Sequence, residues 1–260
     1  MTDENSINSI QTLATYQSLC AEYYDLDKPN APEDALSLYE SYARLSKGPI
    51  LEPMCGSGRF LIPLLQKGFN ICGFDASSYM LEALEIKAAS LSLQPQITQG
   101  FLHDFKAAEL FSLIFIPSGS FGLITDPEEA LLGLRNIYEL LLDGGTFVFE
   151  AETPNASPTD LNVWKGSVQK RADGKLIILS TLSLPLKGGI DTTICKYELV
   201  DEASVTRTEI EKLQVRLYEP SELCTLLQKV GFKTVRMVKA FTSASVPDEN
   251  DEVIIYECKK

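Results

Sequence analysis

The chain has no Cys-x-x-Cys pair and no cysteine–histidine cluster, so neither a zinc module nor a thioredoxin-like redox pair is encoded, and no metal is expected. Its six cysteines, Cys20, Cys55, Cys72, Cys195, Cys224 and Cys258, are scattered and read as reduced, mostly buried thiols. Only one histidine, His103, and one tryptophan, Trp164, are present. No apolar run approaches the roughly 20 residues of a membrane-spanning helix. The start, MTDENSINSI, lacks the basic and apolar regions of an export signal, so the expected location is cytoplasmic. Positive charge is scarce: 23 Lys and Arg stand against 36 Asp and Glu, a formal charge of -13, with no basic run to offset it. A field of that sign repels nucleic acid and anionic membranes and favours a neutral or cationic small molecule. No Gly-Lys-Ser/Thr follows a glycine turn, which removes a P-loop.

What is there fits one α/β domain with an elaboration: 260 residues, 45% of them hydrophobic, can bury a sizeable core without staples. The organising stretch is PILEPMCGSGRFLIPLLQKGFNICGFD, from Pro49 to Asp75. A short apolar run, a turn at Cys55-Gly56-Ser57-Gly58, helix-spaced Phe60, Leu61, Leu64 and Leu65, and a second run ending in Asp75 outline a βαβ unit. In such a unit the glycine turn and Asp75 meet at the carboxyl ends of the strands, where ligands bind. Asp75 follows the glycines at about the twenty-residue spacing that lets a carboxylate reach a ribose hydroxyl pair. A dinucleotide site wants a third glycine where Leu61 stands. Glu52, ending the first strand, repels a pyrophosphate and suits a ligand with a cationic centre.

Glu52-Pro-Met-Cys-Gly-Ser-Gly-Arg59 followed by Gly73-Phe-Asp-Ala-Ser-Ser-Tyr-Met80 resembles the first two motifs of the class I S-adenosylmethionine-dependent methyltransferases. The resemblance implies S-adenosylmethionine as cofactor, with Gly56, Ser57 and Gly58 touching its methionine part and Asp75 its ribose. Glu52, Ala76 and Met80 are implied as neighbours of the same ligand, with helix core as the alternative for Met80. The family often has a glycine where Met54 stands, so this chain departs there. After a third strand at Gln96–Gly100, Asp104 and Phe105 resemble the family's adenine contacts. After the apolar fourth strand at Leu110–Ser118, Pro117 and Ser118 resemble the segment beside the transferable methyl, with Gly119 and Phe121 as candidate acceptor contacts. Tyr24, in AEYYDLDKPN, resembles the N-terminal cover of small-molecule members and is a candidate to touch the cofactor; the alternative is packing of its helix on the sheet. The likeness covers about residues 16–154 and resumes near Tyr218.

Residues 1–12 read as a frayed end. Helices are predicted within Thr15–Leu45 and at Ala76–Ser90, Asp126–Leu142 and Ser221–Val230, with a fifth strand at Thr146–Glu150 and a closing strand pair, Val235–Phe241 and Glu252–Cys258. The expected fold is a Rossmann-like, doubly wound seven-stranded sheet with an antiparallel final strand. Residues 161–217 change character: short strand-like runs at 176–179, 192–197 and 213–217, the last alternating cleanly, with turns at Asp173-Gly174 and Gly188-Gly189, predict hairpins. The expected organisation is therefore 1–154 as cover and cofactor-binding core, 155–217 as an inserted antiparallel patch serving as lid or homodimer surface, and 218–260 as the rest of the core sheet. Trp164 either stacks on substrate or fills a small core in that patch.

No catalytic motif stands out, as expected for a reaction whose methyl group arrives already activated. His103 reads as a loop residue rather than a base. Glu150 and Glu152, ending the fifth strand, are candidates to hold a cationic acceptor. The expected activity is transfer of a methyl group to nitrogen or oxygen of a small molecule. The alternatives are an NAD-type oxidoreductase and a non-catalytic protein that binds S-adenosylmethionine.

Overall fold

The computed structural model describes residues 13–241 and 245–260; the frayed end expected for residues 1–12 lies outside them. Two helices come first, α1 (Ser18–Asp27) and α2 (Glu33–Leu45). Then β1 (Ile50–Pro53), α3 (Leu61–Gln66), β2 (Ile71–Asp75), α4 (Ser78–Ser90), β3 (Gln96–Gln99), β4 (Phe111–Ile116), α5 (Pro127–Leu140) and β5 (Leu141–Glu152) build the alternating core. Strands β6 (Trp164–Lys170), β7 (Leu176–Lys187), β8 (Ile190–Asp201) and β9 (Ser204–Arg216) follow, and α6 (Pro220–Val230), β10 (Thr234–Lys239) and β11 (Val253–Lys259) close the chain.

Local chemistry fixes the helix starts. Ser77 Oγ accepts the Met80 N–H at 3.2 Å to cap α4. Asp126 accepts the Glu128 and Glu129 N–H groups at 2.8 and 3.0 Å to cap α5, with Pro127 preset at its first position. At the other end of α6, Gly231 takes a φ of 123°.

The main sheet has the order β10-β11-β5-β4-β1-β2-β3, and β11 alone runs against its neighbours. Its middle strand β4 (FSLIFI) is buried on both faces, as its unbroken apolar run requires. On one face Phe74, Ile114, Phe147 and Phe149 pack with Leu134, Leu223 and Leu227 from α5 and α6. On the other, Ile71, Leu113, Phe115 and Val148 pack with Tyr39, Leu61 and Leu84 from α2, α3 and α4. The strand order reverses between β1 and β4, so the ligand crevice belongs at the carboxyl ends of these two strands. This is the Rossmann-like seven-stranded sheet with antiparallel closing strand that the sequence predicts.

The second sheet, β6-β7-β8-β9, is wholly antiparallel, and the predicted turns at 173–174 and 188–189 join β6 to β7 and β7 to β8. The sequence runs understate it: β6 has no apolar alternation to announce it, and β9 extends far beyond 213–217 because its inward positions there are held by the buried Glu209 and Glu211 rather than by apolar side chains. One face receives α1, where Leu19, Cys20 and Tyr23 pack on Ile177, Cys195 and Tyr197. Trp164, expected either to stack on substrate or to fill a small core, fills no core among the described residues: it lies 54% exposed on the opposite face, with Val168 and Ile210.

Candidate active site

The crevice begins where β1 ends. Met54, Gly56 and Gly58 all have positive φ, 56°, 51° and 81°, so the turn winds left-handed three times within five residues. Met54 occupies a conformation that favours glycine, which accounts structurally for the family's preference at that position. The two glycines of the turn have different duties. A Cβ on Gly56 would meet nothing within 4 Å, leaving open space for a ligand, whereas one on Gly58 would stand 2.8 Å from Leu84 Cγ on α4. Gly58, expected to touch the cofactor, instead seats the turn on a helix and stays out of the cavity wall.

Asp75 ties this turn to β2. Its Oδ2 accepts the Gly56 N–H and its Oδ1 the Ser77 N–H, both at 2.8 Å. Each oxygen keeps a lone pair for a hydroxyl of a ligand. Burial pushes its pKa up, against the pull of the Ser77, Gly56 and Ala76 amides. Glu52 is 1% exposed, and its Oε2 has no hydrogen-bond partner among the described residues. Burial, then the Asp75 charge, holds its pKa well above the usual carboxylate range. An unpartnered buried carboxylate oxygen calls for a cationic or hydrogen-bond-donating ligand group.

These residues open on a cavity of about 360 Å³, the size range of small-molecule sites. Of the residues predicted at the cofactor, Tyr24, Glu52, Gly56, Ser57, Asp75, Ala76, Met80, Pro117 and Ser118 line it together. Ser57 Oγ donates to Asp25, and Arg59 donates to the Tyr24 hydroxyl at 2.7 Å and to the Asn30 carbonyl, so α1 is fastened over the turn.

Other predicted positions fall elsewhere. Strand β3 ends at Gln99, and the tight turn after it sends residues 100–103 into the cavity. Asp104 points to solvent and accepts the Phe101 N–H at 3.3 Å, while Phe105 stacks on Phe74 in the core, ring centroids 4.0 Å apart. Phe101, Leu102 and His103 therefore line the space assigned to Asp104 and Phe105; counting from the end of β3 rather than from the aspartate finds them. Phe121 is fully buried between Phe149 and Tyr218 and lines nothing. Glu150 accepts the buried Tyr39 hydroxyl at 2.7 Å and a bond from the Ser118 amide, so it braces the loop after β4 rather than facing a ligand. Gly119 lies on that loop, and its Cβ position is 3.4 Å from Glu152 Oε1. Trp164 is outside the cavity.

Sequence reasoning missed an entire wall. Leu13, Ala14, Thr15 and Tyr16 lie across the cavity, joined by Lys212, Leu213 and Gln214 of β9. No local motif marks them. Among the described residues no cluster of His, Cys, Asp and Glu could hold a metal ion, and no helix is long and apolar enough to cross a membrane.

Residues 50–145, from the start of β1 into β5, match the family described as a methyltransferase domain. A protein of Geobacillus sp. strain WCH70, provisionally named a methyltransferase, is 23% identical over 252 residues, 95% of this chain and 100% of that one. Among solved structures, an S-adenosylmethionine-dependent methyltransferase from Clostridium acetobutylicum has the same fold at 19% identity, with a TM-score of 0.75 over 92% of this chain and 96% of that one. The sugar N-methyltransferase KedS8 from a Streptoalloteichus species is similar at 16% identity, with a TM-score of 0.73 and 98% of each chain covered. The open Gly56 backbone, the free lone pairs of Asp75 and the unpartnered Glu52 oxygen fit an adenosyl amino acid with a cationic end. Residues 50–145 thus form a methyltransferase domain, in a chain whose fold is that of solved S-adenosylmethionine-dependent methyltransferases.

Proposed function

We propose that the protein methylates nitrogen on a small molecule that reaches the site as a cation. The observation that carries this is Glu152. It lies at the end of β5 against Gly119, just beyond the cavity wall at Ser118, and its side chain makes no hydrogen bond or ion pair among the described residues. Burial raises its pKa, with Asp191 and Glu252 adding to the rise and Lys28 opposing it. A partly buried carboxylate crowded by other carboxylates gains most from a cationic partner. The name of KedS8, a sugar N-methyltransferase, supports the same reading by likeness of fold.

Bound in the cavity, S-adenosylmethionine supplies a methyl group on a sulfonium sulfur that departs as a neutral thioether. The protein then has to orient, desolvate and manage one proton. Glu52 and Asp75 hold the cofactor's polar ends, and Glu150 fixes Ser118 at the reaction side. An ammonium drawn to Glu152 must shed a proton before its nitrogen lone pair can form the new N–C bond, and a carboxylate with a raised pKa is suited to receive it.

The test is transfer of labelled methyl from S-adenosylmethionine to a panel of primary and secondary amines, phenols and carboxylates. Amines should be methylated, and Glu152→Gln should lower kcat/KM for cationic acceptors by about 10- to 100-fold, the scale of a lost charge-assisted contact of about 1.5–3 kcal/mol. Preferential methylation of phenols or carboxylates, untouched by Glu152→Gln, would overturn the assignment.

A further inference from the structure

The cavity wall made by residues 13–16 has no support of its own. Tyr16 has a φ of 56°, a conformation that L side chains rarely adopt, and Gln17 at the cap position of α1 makes no side-chain cap. The first N–H groups of a helix need acceptors. Here they come from a strand nearly two hundred residues later. Glu211 on β9 accepts the Tyr16 N–H through Oε2 at 2.9 Å and the Gln17 N–H through Oε1 at 2.7 Å. Glu209, two residues along on the same face, accepts the Leu19 N–H at 2.7 Å and pairs with Arg207. Both carboxylates are buried, 3% and 8% exposed. Two alternating glutamates buried in a strand are costly unless they have such partners.

The other side of Tyr16 is tied to the cofactor site. Its carbonyl accepts the Ser77 hydroxyl at 2.7 Å, and the Ser77 N–H is held by Asp75. An unbroken hydrogen-bonded chain therefore runs from Asp75 through Ser77 and Tyr16 to Glu211 in the inserted sheet. Among the described residues, the Tyr16 backbone is held only by these bonds to Glu211 and Ser77.

We propose that Glu211, with Glu209 beside it, is a positioning residue of the cofactor site: the inserted sheet holds Tyr16 and its neighbours over the adenosyl cavity and so sets how tightly and how long the cofactor stays. The proposal rests on the S-adenosylmethionine reading of that cavity and assigns the second sheet a share in it. It also explains why β9 contributes Lys212, Leu213 and Gln214 to the lining.

The test compares wild type, Glu211→Ala, Glu211→Gln and Tyr23→Phe by calorimetric titration with S-adenosylhomocysteine, dissociation of labelled S-adenosylmethionine, and steady-state kinetics. Tyr23→Phe removes another bond between α1 and the inserted sheet, from the Tyr23 hydroxyl to Ser167 Oγ, without touching residues 13–17. Glu211→Ala should weaken product binding by at least 10-fold, speed cofactor release in proportion and raise KM for the cofactor while changing kcat much less. Glu211→Gln, which keeps one acceptor oxygen, should fall between Glu211→Ala and wild type; should the alanine variant not fold, the glutamine variant carries the test. Tyr23→Phe should bind like wild type. Wild-type affinity in a folded Glu211 variant, or an equal loss in Tyr23→Phe, would overturn the proposal alone. Absence of any heat with wild type would overturn the cofactor reading and this proposal together.

Discussion

The cofactor cavity has an inner and an outer wall, and they are made in opposite ways. The inner wall comes from β1, the glycine turn, β2 and the start of α4, all within residues 50–80. Its bonds join residues close in sequence: Gly56 to Asp75, and Asp75 to Ser77. The outer wall brings residues 13–16 against β9 by bonds from Tyr16 and Gln17 to Glu211. A local wall forms with the fold of one βαβ unit, whereas the outer one exists only once the second sheet has assembled and docked on α1. The inner wall is thus built into the scaffold, whereas the outer wall depends on the docking of α1 on the second sheet.

Breaking the inner wall should cost most. Asp75→Ala removes the prospective ribose partner and frees the Gly56 and Ser77 amides at once. Cofactor affinity should fall by about 1.5–3 kcal/mol, the scale for losing hydrogen bonds to a charged group, in a titration with S-adenosylhomocysteine. An unchanged affinity would remove Asp75 from the site.

Gly58→Ala separates scaffold from contact within the same turn. The new methyl meets Leu84 at 2.8 Å in a backbone with φ of 81°. Stability should drop by about 1–3 kcal/mol in denaturant unfolding, as overpacking and an incompatible φ predict, with cofactor affinity affected much less in the protein that remains folded. Equal losses in both would show Gly58 to be a contact after all.

The smallest effect concerns protons. Glu52 has a folded pKa raised above its ordinary 4.5 by burial and by Asp75. The folded state therefore binds the proton more readily than the unfolded one. The stability this contributes is complete below the unfolded pKa and is lost as pH rises through the folded pKa. Glu52→Gln should flatten that decline in unfolding measured across pH. A cationic ligand group beside Glu52 favours the carboxylate, so cofactor binding below the folded pKa should release a proton. Titrations in buffers of different ionisation enthalpy should show the release, and Glu52→Gln should abolish it. Proton uptake on binding would contradict the placement of the cation.

Comparison of particular residues shows what could be read in advance. Glu52, Gly56 and Asp75 were legible because a strand, turn and strand of fixed length bring them together wherever the chain folds at all. Asp104 and Phe105 were misplaced by a few residues, since the turn after β3 decides which side chains face inward and no periodicity encodes that turn. Glu150 looked like a ligand for the acceptor because its partner, Tyr39, lies on a helix more than a hundred residues earlier. Tyr16 and Glu211 gave no signal in one dimension.

Sheet order, the glycine turn and the character of the ligand follow from patterns a few residues to a few tens of residues long, because backbone geometry and burial act at that range. The closure of the cavity follows from pairing between distant carboxylates and amides. Only docking of α1 onto the second sheet brings those groups within reach and removes the water that would otherwise satisfy them.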